Sequence, residues 1–388
     1  MGIKDIDGLL FQLRTFVDKE SFKGWDPYDG LNSKLFQSLP IKNSRFIRLA
    51  WIQLFKRSPI NLRKLFLVPK GYNSKALGLF LAGECNNYRR TKSEGSKKRI
   101  DFLVKKILEL KSKGYSGSCW GYNFDWQARA FFQPKGTPTV VATSFIANAL
   151  LDAYDLFKYD VLLNEARSAC DFVLKDLNRT ELIDGTFCFS YSPLDNSQVY
   201  NASLLGSRLL GRVYSLTGEE VLKGEALKSI RYCINAQKSD GSWYYGTAPF
   251  HQWVDNFHTG YNLECISEYQ KYTGDNQFQD QLNKGLKYYL EIFFTNEGIP
   301  KYYNNKTYPI DIHASAQLIA TLYRLDKLTE HKELVNRVLN WTFENMYDSK
   351  GYFYFQKKKY FISKIPYMRW AQAWMYYALS FYLYEFRE

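Results

Sequence analysis

The sequence predicts an all-α fold, an (α/α)6 toroid of helical hairpins with aromatic loops on one face. Three observations predict it. Long helical patterns recur in pairs along the chain. The first helix of each pair is apolar on most sides and carries small residues, and the second is amphipathic and charged on one face. A glycine followed by closely spaced aromatics separates one pair from the next. A helix that is apolar all round is buried, and one with a single apolar stripe lies outside it.

Taken in order, 5–20 (DIDGLLFQLRTFVDKE) has the outer-helix pattern, and 44–57 reads as an additional helix. Inner helices begin near Ser74, Thr137, Tyr200, Phe257, Asp311 and Tyr367, at intervals of 63, 63, 57, 54 and 56 residues. Outer helices follow at 96–111, 160–177, 220–238, 276–294 and 331–348. Gly218 and Gly274 suit the left-handed residue that ends a helix, and the acidic residues after them suit the next helix start. Six inner helices have only five outer partners here. The helix at 5–20 is therefore expected to close the ring against 367–386, making 1–388 a single toroid domain. An open superhelix is the competing architecture, but these repeats are longer than the usual helical array unit.

The loops before the inner helices read GSCWGYNFDW (117–126), DGTFCFSY (184–191), DGSWYYG (240–246), EGIPKYY (297–303) and KGYFYF (350–355). A turn glycine with spaced aromatics indicates a short extended segment. Topology puts all five on one face, where they either cap the barrel or rim a funnel. The candidate rim residues are Trp120, Tyr122, Trp126, Trp243, Tyr244 and Trp253. Aromatics reach 18% of the chain, which suits either a tyrosine-rich core or a ring-lined groove.

Aligned by their small residues, the inner helices begin with Asn201 (YNAS), His258 (FHTG), His313 (IHAS) and the Arg369/Trp370 pair (MRWAQ). Helix N-termini present free N–H groups, so these side chains can converge at the ring axis. Asp255 and Asp311 precede the two histidines; capping is their structural alternative. Asp125 lies in the loop before the second inner helix, with Arg129 close by. Asp255, His258, Asp125, Asp311, His313 and Tyr261 are the candidate catalytic residues. Arg129, Asn201, Arg369 and Trp370 join the rim aromatics as substrate-binding candidates. Glu264 and Asp152 fall one or two turns inside their helices, where burial raises a carboxyl pKa.

The net charge is +13. Much of it lies at 89–113, within an apolar i, i+3, i+4 pattern. That is the solvated face of an outer helix, or a surface for weak association with an anionic membrane. No nucleic-acid motif occurs, so no such partner is expected. Six scattered cysteines, no N-terminal targeting run and no apolar run of membrane-spanning length read as a cytoplasmic protein. Asp255-x-x-His258 lacks a third ligand at metal spacing. Nucleophile-elbow, phosphate-loop and dinucleotide motifs are missing too. No metal and no cofactor is expected.

Over residues 70–388 the hairpins resemble the six-hairpin toroids of carbohydrate-active enzymes: glycosidases, unsaturated glucuronyl hydrolases, sugar epimerases, polysaccharide lyases and the C-terminal domains of glucuronyl C5-epimerases. VDNFHTGYNLE (254–264), IDIHASAQ (310–317) and RWAQAWM (369–375) look most like bacterial toroid proteins found with exopolysaccharide biosynthesis genes. The resemblance implies an enzyme acting on a glycan of surface polysaccharide metabolism by hydrolysis, elimination or epimerisation, with an oligo- or polysaccharide substrate. In the uronic-acid case Arg129 or Arg369 would clamp the carboxylate, and His258 or Tyr261 would move the C5 proton. In the neutral case Asp125 and Asp255 would serve as acid and base. A non-catalytic glycan-binding or assembly protein is one alternative, and a terpenoid-cyclase-like toroid is another. QKSDGSWYYG (237–246) also fits the Q-x3-G-x-W motif of triterpene cyclases, which implies that Gln237 and Trp243 tie repeats together. The D-x-D-D of class II cyclases is absent.

Overall fold

The computed structural model describes residues 5–129 and 131–386; positions 1–4 and 387–388 of the single-domain reading lie outside them. The inner ring is α4 (Ser74–Thr91), α6 (Val140–Phe157), α8 (Tyr200–Thr217), α10 (Asn256–Thr273), α12 (Ile312–Arg324) and α14 (Trp374–Glu385). A π-helical turn, Met368–Ala373, leads into α14. Each inner helix packs on the next, and α14 packs back on α4. The chain is thus a closed (α/α)6 toroid and not an open superhelix.

Polar contacts seal the α4–α14 seam. Asn86 Nδ2 donates to Ser380 Oγ at 3.1 Å and Asn87 Nδ2 to Tyr376 OH at 3.0 Å. Around the ring stand α5 (Glu94–Glu109), α7 (Asp160–Lys175), α9 (Glu220–Asn235), α11 (Gln279–Phe293) and α13 (Lys332–Met346). The N-terminal helix α1 (Ile6–Lys19) fills the position between α13 and α5. Its Arg14 Nε donates to Tyr376 OH at 3.2 Å, Gln12 Oε1 accepts from Tyr347 OH at 2.7 Å, and Asp18 pairs with Arg99 of α5.

The loop glycines explain how tightly neighbouring units approach. Gly241 has φ +91°, and a Cβ there would lie 2.5 Å from the carbonyl oxygen of Lys284 in the next outer helix. Gly351 repeats this against Gln12 of α1, at 2.7 Å, so the last loop meets the first helix as the others meet their successors. Gln237 fixes the same junction, its Nε2 donating to Gly241 O at 3.0 Å and Gln281 O at 2.9 Å. Gly241→Ala is expected to cost about 1–3 kcal/mol through strain and collision, read as a lower urea midpoint with an unchanged slope.

Inner helices are buried along their length because both faces meet other helices. By length and composition α6 is apolar enough to cross a bilayer, which corrects the expectation that no run reaches that length. Its residues are instead covered by the neighbouring helices of the ring. All six cysteines are free and buried. On α5, Ile100, Leu103 and Ile107 are buried, while Lys97, Arg99 and Lys106 pair with Asp101, Asp18 and Glu109.

Below the mid-plane the ring is filled by a buried ionic network rather than by hydrocarbon alone. Arg208 pairs with Glu268, Arg324 Nη1 lies 2.9 Å from Glu268 Oε1, and Arg212 Nη2 lies 2.8 Å from Asp152 Oδ1. Desolvation acts against the Glu268 and Asp152 anions, yet the arginines outweigh it and hold both carboxyls below their ordinary range. The expected raised pKa is thus corrected for Asp152. For Glu264, one turn nearer the mouth, burial wins and the carboxyl is pushed up to about 7.

Between α1 and α4, the segment 20–73 folds over the mouth and carries α2 (Lys34–Ser38) and α3 (Arg45–Arg57). Asp29 and Asp26 brace it from within, and Asp26 anchors it to Arg369 of the turn before α14. Arg63 Nε donates to Asp29 Oδ1 at 2.7 Å, and Arg63 Nη2 donates to Asp26 O at 2.6 Å.

Candidate active site

A cavity of about 410 Å³ opens at the N-terminal ends of the inner helices, within the size range of small-molecule sites. The second helical residue of each inner unit lines its floor: Lys75, Val141, Asn201, Phe257, His313 and Arg369. Ring symmetry produces this convergence. Each inner helix starts at the same height, and its first turn aims the same side-chain direction toward the axis.

The loops run inward from the outer helices, so an aromatic's place along the loop decides where it ends. Early aromatics lie beneath the outer helices. Trp120 Nε1 donates to Ile107 O at 2.8 Å and Trp243 Nε1 to Cys233 O at 2.9 Å. Both indoles are buried away from the main cavity and are corrected to core residues. Tyr244 also points away from that cavity, toward solvent and Lys238. Later aromatics do reach it: Tyr122, Trp126, Tyr191, Tyr245, Tyr302 and Tyr303. The fifth loop, 350–355, contributes none. Trp253 lines the wall, stacked on Tyr245 with ring centroids 4.7 Å apart.

The catalytic candidates separate into those facing the cavity and those supporting them. Among the described residues, no aspartate or glutamate lines the main cavity. Asp255 caps α10 from behind, its Oδ1 accepting from His258 N at 3.0 Å. Its Oδ2 lies 2.7 Å from His258 Nδ1 and accepts from Trp253 Nε1 at 3.0 Å. A carboxylate only accepts, so Nδ1 is the His258 nitrogen that donates in this pair, and Nε2 is the ring nitrogen left for a ligand. His258 lines the cavity and is partly accessible there.

Asp311 is wholly buried. It accepts from His313 N at 3.0 Å, Trp370 Nε1 at 2.8 Å and Gln356 Nε2 at 2.6 Å. Burial pushes its carboxyl up to about 6, and its role is corrected from acid–base residue to positioner of His313 and Trp370. Asp125 is corrected likewise, since it lies off the cavity and accepts from Lys135 N at 2.7 Å.

Tyr261 OH and His313 Nε2 are 3.0 Å apart at the floor. Burial holds the Tyr261 phenol well above its ordinary range. Burial, with the positive charge of Lys75 as second cause, holds His313 well below its own. Both are therefore neutral, and a single hydrogen bond joins the phenol to the imidazole. His313 Nδ1 has no partner. Phe257 separates the two histidines, its ring centroid 4.3 Å from each.

Arg369 lines the cavity, but its Nε and Nη2 already bond the Asp26 carboxylate at 2.6 and 2.9 Å. As a free bidentate clamp it is corrected: the segment over the mouth has supplied its anion. Arg129 lies exposed at the rim. Asn201 is buried with its Oδ1 unpartnered, and Trp370 lines the cavity from the turn that leads into α14. The residues that sequence reasoning missed are Lys75, Tyr245, Phe257 and the Asp26 anchor. Among the described residues, no three His, Cys, Asp or Glu side chains gather as a metal-binding group.

No protein-family profile and no curated protein matches the chain. Solved structures do. Cellobiose 2-epimerase from Bacillus thermoamylovorans superposes with a TM-score of 0.66 at 12% identity, covering 98% of this chain and 99% of that one. The unsaturated glucuronyl hydrolase from Bacillus sp. GL1 gives 0.64 at 12% identity, over 98% and 96%. A GH76 alpha-mannanase from Bacteroides thetaiotaomicron gives 0.62 at 11% identity, over 81% and 88%. These likenesses establish the shared (α/α)6 toroid.

Proposed function

We propose that the protein is a carbohydrate-active enzyme that moves a proton at a carbon next to a carbonyl group of a saccharide. Epimerisation, isomerisation and elimination all begin with that step. The observation that carries the reading is the Asp255–His258 pair. A buried carboxylate orients an imidazole whose Nε2 faces an aromatic cavity, as a general base requires. Tyr261, hydrogen-bonded to His313, supplies a neutral acid on the same floor. The rings of Tyr122, Trp126, Tyr245 and Trp253 offer flat apolar faces for sugar C–H groups.

Hydrolysis by two opposed carboxyls has less support, because no carboxylate lines the cavity among the described residues. Cellobiose 2-epimerase, unsaturated glucuronyl hydrolase and alpha-mannanase as fold relatives favour a saccharide as the ligand. In this reading the substrate is a glycan, or a unit of one, in bacterial surface polysaccharide metabolism. The protein works in the cytoplasm, a setting that suits six unpaired buried thiols. The basic face of α5 gives it a weak hold near anionic lipid-linked intermediates.

The test is product analysis after incubation with reducing hexoses, disaccharides and uronates. A stereoisomer, ketose or unsaturated sugar is expected, without release of aryl alcohol from aryl glycosides. Aryl glycoside hydrolysis without any of those products contradicts the reading. Tight glycan binding with no turnover would return it to a binding protein.

A further inference from the structure

Among the described residues the buried cations share a rule, and one residue breaks it. Arg63 is paired with Asp29, Arg208 with Glu268, Arg212 with Asp152, Arg324 with Glu268 and Arg369 with Asp26. Lys75 is 3% exposed and has neither a hydrogen bond nor an ion pair among the described residues. It lines the cavity as the second residue of α4. Its Nζ lies over three rings, 4.1 Å from the centroid of Phe145, 5.2 Å from Trp374 and 5.3 Å from Tyr261.

We propose that Lys75 is the anion-binding residue of this cavity, and that the saccharide it receives carries a carboxylate, as a uronate does. The proposal rests on the reading of the cavity as a saccharide site. An isolated buried charge is costly, and a fold that pairs the other buried cations among the described residues leaves this one for a ligand. In the complex the three ring faces hold the ammonium head in place by cation–π attraction. Among the described residues Lys75 is the one amine at the floor without an anionic partner, and once protonated it matches a monoanion. Arg369 adds no charge there, because Asp26 already balances it. The other cations of the cavity lie toward the rim, where Lys56 Nζ bonds Tyr28 OH at 2.8 Å and Arg129 is exposed.

Binding is then coupled to a proton. In the empty cavity burial, followed by the positive charge of Arg369, drives the Lys75 amine well below its ordinary range. Asp26 across the mouth and Glu264 on α10 oppose that shift and are outweighed. Tyr261 of α10 and His313 of α12 face the amine as neutral groups. A carboxylate arriving at Lys75 favours the ammonium form, so the complex takes up a proton from solvent.

Isothermal titration of the full chain with glucuronate, glucose and glucose 6-phosphate, in two buffers of different ionisation enthalpy, tests this. Glucuronate is expected to bind about tenfold or more tighter than glucose, with net proton uptake. Lys75→Met should abolish both the preference and the uptake while melting no lower than the parent. Lys75→Arg, permanently charged, should keep the preference and lose the uptake. The proposal is overturned if glucose binds as well as glucuronate, or if Lys75→Met keeps the preference. A preference for the phosphate over both other sugars overturns the carboxylate assignment. Binding of neutral sugars alone sinks this inference and leaves the proposed reaction standing; binding of no saccharide in any assay sinks both.

Discussion

Replacing His258 by glutamine is expected to lower turnover by about 10²–10⁴-fold, the usual contribution of a positioned general base. The KM should change little, because the cavity walls stay in place. Glutamine keeps a donor near Asp255 Oδ2, which now lies 2.7 Å from His258 Nδ1, so the α10 terminus should remain intact. Asp255→Asn attacks the same pair from behind. It removes the acceptor that fixes the imidazole tautomer, and it should lower kcat while leaving the helix capped through its amide oxygen. Steady-state kinetics on the epimerised or unsaturated product reads both effects. A parent-like kcat for His258→Gln would remove the base from the account.

The largest stability effect is expected at Glu268. Its carboxylate serves both Arg208, buried with it at 2% exposure, and Arg324, whose side chain is 12% exposed. Glu268→Gln leaves both guanidinium groups short of an anion, which costs about 3–5 kcal/mol. The sign of the pH dependence follows from the direction of the shift. Folding lowers the Glu268 pKa from 4.5, so its stabilisation is present above that value and is lost as pH falls through the folded pKa. Glu264 behaves in the opposite sense. Folding raises its pKa from 4.5 to about 7, so it costs stability as pH rises through that interval. Glu264→Gln is therefore the mild variant, and its relative standing improves from pH 5 to pH 8. Urea unfolding of both variants at the two pH values compares them directly. Equal losses would contradict the network as described.

The ring itself was legible because helical hairpins repeat, and a buried helix differs in composition from an exposed one. The site was legible in part, for a related reason. His258 and His313 stood out as rare residues at matching helix starts. Lys75 did not, since lysine is common and the first inner helix has no preceding aromatic loop to align it. Strict alignment on the second helical residue, through 201, 257, 313 and 369, would have placed Lys75 on the same floor. Trp120 and Trp243 misled because residue type does not reveal how far along a loop a ring sits. The carboxylates misled for another reason. An aspartate before a helix satisfies backbone N–H groups, which turns it away from the ligand and toward its own helix. The Asp26–Arg369 pair spans 343 positions of sequence, and no local pattern signals a contact of that range.

Deuterium uptake from D2O, followed by ¹H NMR on the recovered sugar, tests the central claim most directly. The account predicts that the proton on the carbon beside the carbonyl exchanges with solvent in the presence of the protein. It also predicts that His258→Gln slows this exchange by the same factor as turnover. Conversion of a saccharide with that carbon-bound proton fully retained would contradict the account, because Asp255 and His258 would then be supporting a different chemistry.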